Sequence, residues 1–144
     1  MKIKVLSCLF VLFGAFGCNQ EADKVEQMEK EVLAIHDEVM PKMDEIMSLQ
    51  SKLVKKMASI DSLQQEGASS TTLVEQRLKA FELNRQLKTA DSLMMNWMYA
   101  YRGDSAKGLQ PTEAIAYFEK EKEKIIKVKE ATNSSIEEVK TFLK

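Results

Sequence analysis

The stretch that decides the fold is VEQMEKEVLAIHDEVMPKMDEIMSLQSKLVKKMASI, residues 25–60. An apolar residue stands at every seventh position of this stretch: Val25, Val32, Val39, Ile46, Leu53 and Ile60. The position three residues after each of these holds Met28, Ile35, Leu49 and Leu63, with Lys42 and Lys56 as interruptions. Such a repeat predicts a helix that buries one stripe against other helices in the manner of a coiled coil. We expect this helix to cover residues 22–65.

Pro41 lies inside the repeat. Proline has no backbone N–H and its ring clashes with the carbonyl four residues earlier, so it bends or breaks a helix. The seven-residue phase nevertheless continues unchanged from Val39 to Ile46. We therefore predict one kinked helix, with Pro41 as the structural kink.

Two further helices are predicted after a turn at Gly67, a residue suited to a left-handed helix stop. The second helix should cover residues 72–101, and Thr72 with Glu75 forms a capping box at its start. A loop is predicted at residues 102–110, and Pro111 should begin a third helix that ends at about Leu143. The expected buried stripe of the second helix comprises Leu73, Ala80, Leu83, Leu87, Ala90, Met94, Trp97 and Tyr101, supplemented by Val74, Leu78, Phe81 and Met98.

The chain shows no convincing strand, and short connections make consecutive helices antiparallel neighbours. The predicted fold is therefore all-α, an elongated antiparallel three-helix bundle of up-down-up topology with coiled-coil-like packing, formed by residues 24–144. Trp97 should lie in its core near the kink. A pattern this regular could also be completed by a second chain.

The first eighteen residues have the form of a bacterial lipoprotein signal. Two lysines precede an apolar run at residues 5–16, and the small residues Ala15 and Gly17 stand just before Cys18. The run is too short for a helix that spans a bilayer. Ala15 occupies a place where Leu is commoner, and an ordinary secreted protein is the alternative. We predict a signal peptide at residues 1–17 and lipidation at Cys18.

Lipidation would leave residues 18–23 as the lipidated cysteine and its tether. Several acyl chains, palmitate among them, would hold the protein on a membrane through this residue. The expected location is the cell envelope, at the outer membrane, facing either the periplasm or the cell surface. Cys8 would leave with the signal, so no disulfide is expected.

Charge and motifs exclude several classes of function. The 21 basic and 22 acidic residues are mixed along the chain, which gives no basic stripe for nucleic acid. One histidine and the lack of a phosphate loop or nucleophile motif argue against an enzyme.

One group of residues could bind a ligand. His36, Met40 and Met43 follow at helical spacing, with Met47 one turn further on the same side, and antiparallel pairing would bring Met94 and Met98 to the level of the first three. Imidazole and thioether ligands suit Cu(I) or Ag(I), and the same cluster could offer axial ligands to a haem. The alternative is plain packing, because methionine commonly fills gaps in helical cores.

Two motifs carry a resemblance to a known group of proteins. HDEVMPKM at residues 36–43 and MMNWM at residues 94–98 resemble small lipoproteins of Bacteroidota that are labelled viral A-type inclusion proteins. The resemblance implies a helical, envelope-anchored protein and transfers no catalytic residue. We expect a structural or partner-binding role, with the membrane and a protein partner or a second copy as partners, and with a Cu(I) or Ag(I) module as the alternative.

Overall fold

The computed structural model describes residues 17–68 and 70–144, with side chains from Gln20 onward. Helices and connections without strands make up these two ranges, which confirms the all-α prediction. The helices are α1 (Gly17–Val39), α2 (Pro41–Gln65), α3 (Thr71–Ala100), α4 (Gly103–Lys107) and α5 (Pro111–Leu143). The chain therefore forms more helices than the three predicted. Residues 1–16, and with them nearly all of the predicted signal peptide, lie outside the described residues.

The first helix differs from the prediction at both of its ends: it begins earlier than expected, and it ends at Val39 instead of continuing through Pro41. Gly17 begins this helix, so the backbone of residues 18–23, predicted as a tether, is helical. Residues 20–24 are exposed, and ordinary helix formers such as Gln20, Glu21 and Ala22 allow the helix to extend beyond its buried stripe. At the other end, α1 and α2 are separate helices that meet at Met40.

The division at Met40 follows from the chemistry of Pro41. Proline cannot donate the hydrogen bond that would continue the helix. Met40 keeps helical angles (φ −52°, ψ −44°), and its N–H donates to the His36 carbonyl at 2.9 Å. The Met43 N–H then donates to the Met40 carbonyl at 3.1 Å, a tighter turn than that of an α-helix. The interruption is thus confined to a single residue.

The turn between α2 and α3 contains the predicted helix stop. Gly67 has φ +93°, and the Ala68 N–H donates to the Leu63 carbonyl at 3.0 Å, as in a Schellman motif. The predicted capping box at Thr72 is wrong. Ser70 is the N-cap instead, and its hydroxyl accepts from the Leu73 N–H at 3.1 Å.

Residues 102–110 are not the irregular loop that was predicted, because they contain the short helix α4. Gly103 and Ala106 of α4 are buried. A Cβ on Gly103 would lie 2.6 Å from the Tyr101 hydroxyl, so any larger residue would displace the Tyr101 side chain. Burial of these two small residues closes α4 against the rest of the fold.

Helix α5 runs parallel to α1 and α2 in a constant register. Each of three polar contacts joins residues 91 positions apart: Lys122 to Glu31 at 2.6 Å, Lys129 to Glu38 at 2.7 Å, and Lys42 to Asn133 at 2.6 Å. Ninety-one is a multiple of seven, so the apolar repeat of α5 stays in phase with the apolar repeat of α1 and α2. Since the Lys42 contact follows Pro41, the register persists across the interruption.

The buried residues form two clusters along this arrangement. One joins α1, the end of α3, α4 and the first half of α5, and the other joins α2, α3 and the end of α5. All six residues of the seven-residue repeat are buried, with exposed fractions of 0–9%. This repeat is therefore the seam that connects the two clusters.

Candidate functional site

The centre of the candidate site is Trp97, near the end of α3. Its ring centroid lies 5.6 Å from that of His36 on α1 and 5.0 Å from that of Tyr101. Only 6% of Trp97 is exposed, which confirms its predicted place in the core. Since His36 precedes the α1–α2 junction by four residues, Trp97 also lies near Pro41, as predicted.

The methionines of the predicted cluster differ in their surroundings. Met94 is fully buried in the first core cluster, and the partly buried Met40 and Met43 pack against that cluster. Met43 also packs against the second cluster, so it bridges the two. Met98 is 38% exposed and is not among the residues packed there. The structure thus places three of the four thioethers around one core, close to the helix junction.

The polar side of this site is formed by His36 and its neighbour. The His36 Nδ1 atom lies 2.9 Å from an Asp37 carboxylate oxygen, and 20% of the His36 side chain is exposed. The Nε1 atom of Trp97 is buried and has no hydrogen-bond partner among the described residues. A buried donor without a partner destabilises the fold, so this atom is a weak point of the site.

Tyr117 and Arg102, which had no predicted role, extend the site beyond Tyr101. The Tyr117 hydroxyl accepts from the Arg102 N–H at 2.6 Å, and the Arg102 guanidinium donates to the carbonyls of Tyr99 and Tyr101 at 2.6 and 2.8 Å. These bonds satisfy carbonyls that the end of α3 leaves free. The available signal was the run YAYR at residues 99–102, in which two tyrosines precede an arginine at the predicted helix end.

Burial changes the acidity of Tyr101. Its hydroxyl is buried without a partner among the described residues. Burial first, and then the nearby carboxylate of Glu29, raises the pKa of this phenol well above its ordinary value. Tyr101 therefore stays neutral at any physiological pH, which suits a packing role.

Potential ligands for a hard metal ion are few at this site. Within residues 17–68 and 70–144, no group of three or more His, Cys, Asp or Glu side chains could hold a metal ion. A metal at His36 would therefore depend on thioethers, which favour Cu(I) and Ag(I). Among the helices of these ranges, none is both long and apolar enough to cross a membrane.

A second surface with functional potential lies on α2 and α3. We define the α2–α3 outer face by six exposed apolar residues, whose exposed fractions are 46–65%: Met47, Val54, Val74, Leu78, Phe81 and Met95. Three of these, Val74, Leu78 and Phe81, were predicted to supplement the buried stripe, and that prediction is wrong. They lie on the side of α3 that no other helix of the described ranges covers.

An ion pair between α2 and α3 fixes which residues of this face lie at the same level. The Arg77 guanidinium on α3 binds the Asp61 carboxylate on α2, which places these two residues level with each other. Counting from this pair along the antiparallel helices, Phe81 comes within one helical turn of the level of Val54. The same count puts Met47 level with Asp91, so Met95 lies slightly more than one turn away.

Comparison of the chain with protein-family models, with curated proteins and with solved structures finds no match. The resemblance to the Bacteroidota lipoproteins stays a prediction.

Proposed function

We propose that this protein is a lipid-anchored component of the cell envelope that binds or scaffolds a partner through its helix faces, without catalysis. Residues 1–18 support the anchor, because a charged start, a short apolar run and a cysteine after small residues coincide. The α2–α3 outer face carries the binding role. Several large apolar residues exposed on one side of a helix pair are typical of an interaction site.

The finer architecture belongs to this proposal. In it, α1 and α2 act as one long kinked helix, α3 returns beside α2, α4 continues the return, and α5 runs forward again. The result is an elongated up-down-up bundle with three helical segments: α1 with α2, α3 with α4, and α5. The helical angles of Met40 and the constant register of α5 along both α1 and α2 support it.

The anchor is tested by changing Cys18→Ser in the full chain. We expect this change to abolish labelling with a radioactive or alkyne palmitate and to release the protein from the membrane fraction. Cys8→Ser is the matched control, because Cys8 would be removed with the signal and its change should alter neither readout. Unchanged labelling and fractionation of the Cys18→Ser chain would refute the anchor.

A second candidate function is a periplasmic module that holds Cu(I) or Ag(I). The packing of Met40, Met43 and Met94 around one core beside His36 favours it. Titration of the full chain with Cu(I) under reducing conditions, against a chromogenic chelator, tests it. Saturable binding should be lost in His36→Ala and Met43→Ala and kept in Met47→Ala, whose side chain is 65% exposed. Absence of saturable binding would refute the metal module.

A further inference from the structure

The α2–α3 outer face points away from α5. Lys56 on α2 lies with its ammonium 5.2 Å from the ring centroid of Phe142, and Lys79 on α3 lines a groove with Glu137 and Thr141 of α5. Residues two apart on a helix are separated by about 200°. Val54 and Phe81 each stand two residues from these lysines, so both side chains lie opposite α5. No other helix within residues 17–68 and 70–144 covers this face.

The exposed area of the face is large enough for a specific interface. A Phe side chain offers up to about 250 Å² and the Met, Leu and Val side chains offer less, so six residues exposed by 46–65% present on the order of 600 Å² in total. Two such faces pressed together would bury roughly 1,200 Å², which reaches the range of specific, stable interfaces. Polar residues between the apolar ones add to this area.

We infer that a second copy of this chain covers the α2–α3 outer face, so that two copies form a symmetric dimer. The inference rests on the proposed binding role and names its partner. Helices α2 and α3 form a layer of two antiparallel helices of 25 and 30 residues. The same layer from a second copy completes a four-helix arrangement with both apolar faces inside, related by a two-fold axis.

Other occupants fit this face less well. A single helix of another protein would fill the groove between α2 and α3 and leave part of a face two helices wide in water. A bilayer would have to bury Ser51, Ser92 and the ion pair between Arg85 and Glu82, whose closest atoms are 2.6 Å apart. Hydrocarbon offers these groups no hydrogen bonds, whereas a second protein surface does.

The inference is tested by the mass of the purified full chain in a non-ionic detergent, measured by light scattering or sedimentation over a wide concentration range. The unchanged chain should have twice the mass of one copy. Phe81→Glu and Leu78→Glu should halve this mass, while circular dichroism shows the same helix content, because both residues are already exposed. Leu93→Glu is the matched control: Leu93 is 41% exposed on the same helix but lies off the face, so the dimer should persist. Phe81→Ser offers a milder change that should weaken the dimer at least tenfold.

Three results would overturn the inference. The first is a single-copy mass for the unchanged chain at every concentration. The second is a dimer that survives both charged substitutions. The third is binding of the Cys18→Ser chain to phosphatidylcholine vesicles that Phe81→Glu abolishes, since this would assign the face to a membrane. A single-copy chain that still depends on Cys18 for membrane attachment would refute only the dimer, so the two proposals fail separately.

Discussion

Replacing Trp97 with alanine is the most direct test of how α3 packs against α1 in the first core cluster. The ring is 94% withdrawn from solvent, since only 6% is exposed. Truncation removes roughly 200 Å² of apolar surface that folding buries. At about 25 cal/mol per Å² this burial contributes at most about 5 kcal/mol to the free energy of unfolding. Loss of the ring contacts with His36 and Tyr101 adds to this, and partial collapse of the cavity subtracts from it. We expect the free energy of unfolding to fall by about 3–5 kcal/mol.

The chemistry of the indole allows a sharper comparison. Trp97→Phe keeps an aromatic ring and removes the Nε1 donor that has no partner among the described residues. Because a buried donor without a partner costs stability, its removal offsets part of the lost packing, and the expected loss is below about 1.5 kcal/mol. A large difference between the alanine and phenylalanine variants therefore identifies packing as the contribution of this residue.

Urea unfolding followed by circular dichroism at 222 nm measures both variants, since the signal does not depend on tryptophan. Tyr99→Ala is the matched control: this neighbouring aromatic residue of α3 is 82% exposed and should change stability by less than about 0.5 kcal/mol. All chains are compared at one protein concentration, because a dimer makes stability concentration-dependent. A loss below about 1 kcal/mol for Trp97→Ala would refute the packing of α3 against α1 that places this ring in the core.

Two further predictions concern the start of α3 and the pairing of α1 with α5. Ser70→Ala should lower the free energy of unfolding by about 1 kcal/mol, because the Leu73 N–H loses its acceptor. Thr72→Ala is the control and should change the free energy of unfolding by less than about 0.5 kcal/mol. Equal losses for the two variants in urea unfolding would contradict Ser70 as the cap. The pKa of Glu38 lies below its ordinary value because the Lys129 ammonium donates a hydrogen bond to its carboxylate. The ionised Glu38 side chain therefore stabilises the fold above the ordinary pKa of 4.5. This stabilisation is lost as the pH falls through the lower pKa of the folded state. Glu38→Gln should therefore flatten the fall of the melting temperature in acid, and an unchanged acid slope would argue against this ion pair.

The helical class and the main seam of this fold were predictable from short-range patterns. The residues from Val25 to Ile60 at seven-residue spacing are all buried, as expected. The last helix has the predicted bounds, Pro111–Leu143, because proline fits the first turn and no breaker follows it. Gly67 ends α2 as predicted, since a positive φ suits glycine.

The errors arose where several residues could satisfy the same local rule. Ser70 and Thr72 are both good caps, and the structure selects Ser70. Sequence reasoning missed α4 because a five-residue helix has no periodicity of its own, and its stability depends on burying Gly103 and Ala106. The start of α1 was missed because exposed helix formers carry no apolar stripe.

The candidate site was predicted in part. Spacing placed His36, Met40 and Met43 together, and antiparallel pairing correctly put Trp97 near them. Tyr101 was predicted in the same stripe as Trp97, but the contact with Tyr117 was not predictable, because Tyr117 comes from α5 and reaches the site only through the register of that helix. The exposure of Met98 likewise depends on how far α3 rotates towards α1.

The sequence by itself determined that this chain is helical, which residues of its first helical stretch are buried, and where its sharpest turn lies. These properties depend on contacts within a few residues, such as hydrogen bonds along one helix and the side on which apolar residues repeat. Only the tertiary structure decided that Val74, Leu78 and Phe81 remain in water while Leu83 and Leu87 are buried. An apolar stripe that broadens around a helix does not reveal which part a neighbour covers, because that depends on the position of α5, set by contacts between residues 91 positions apart.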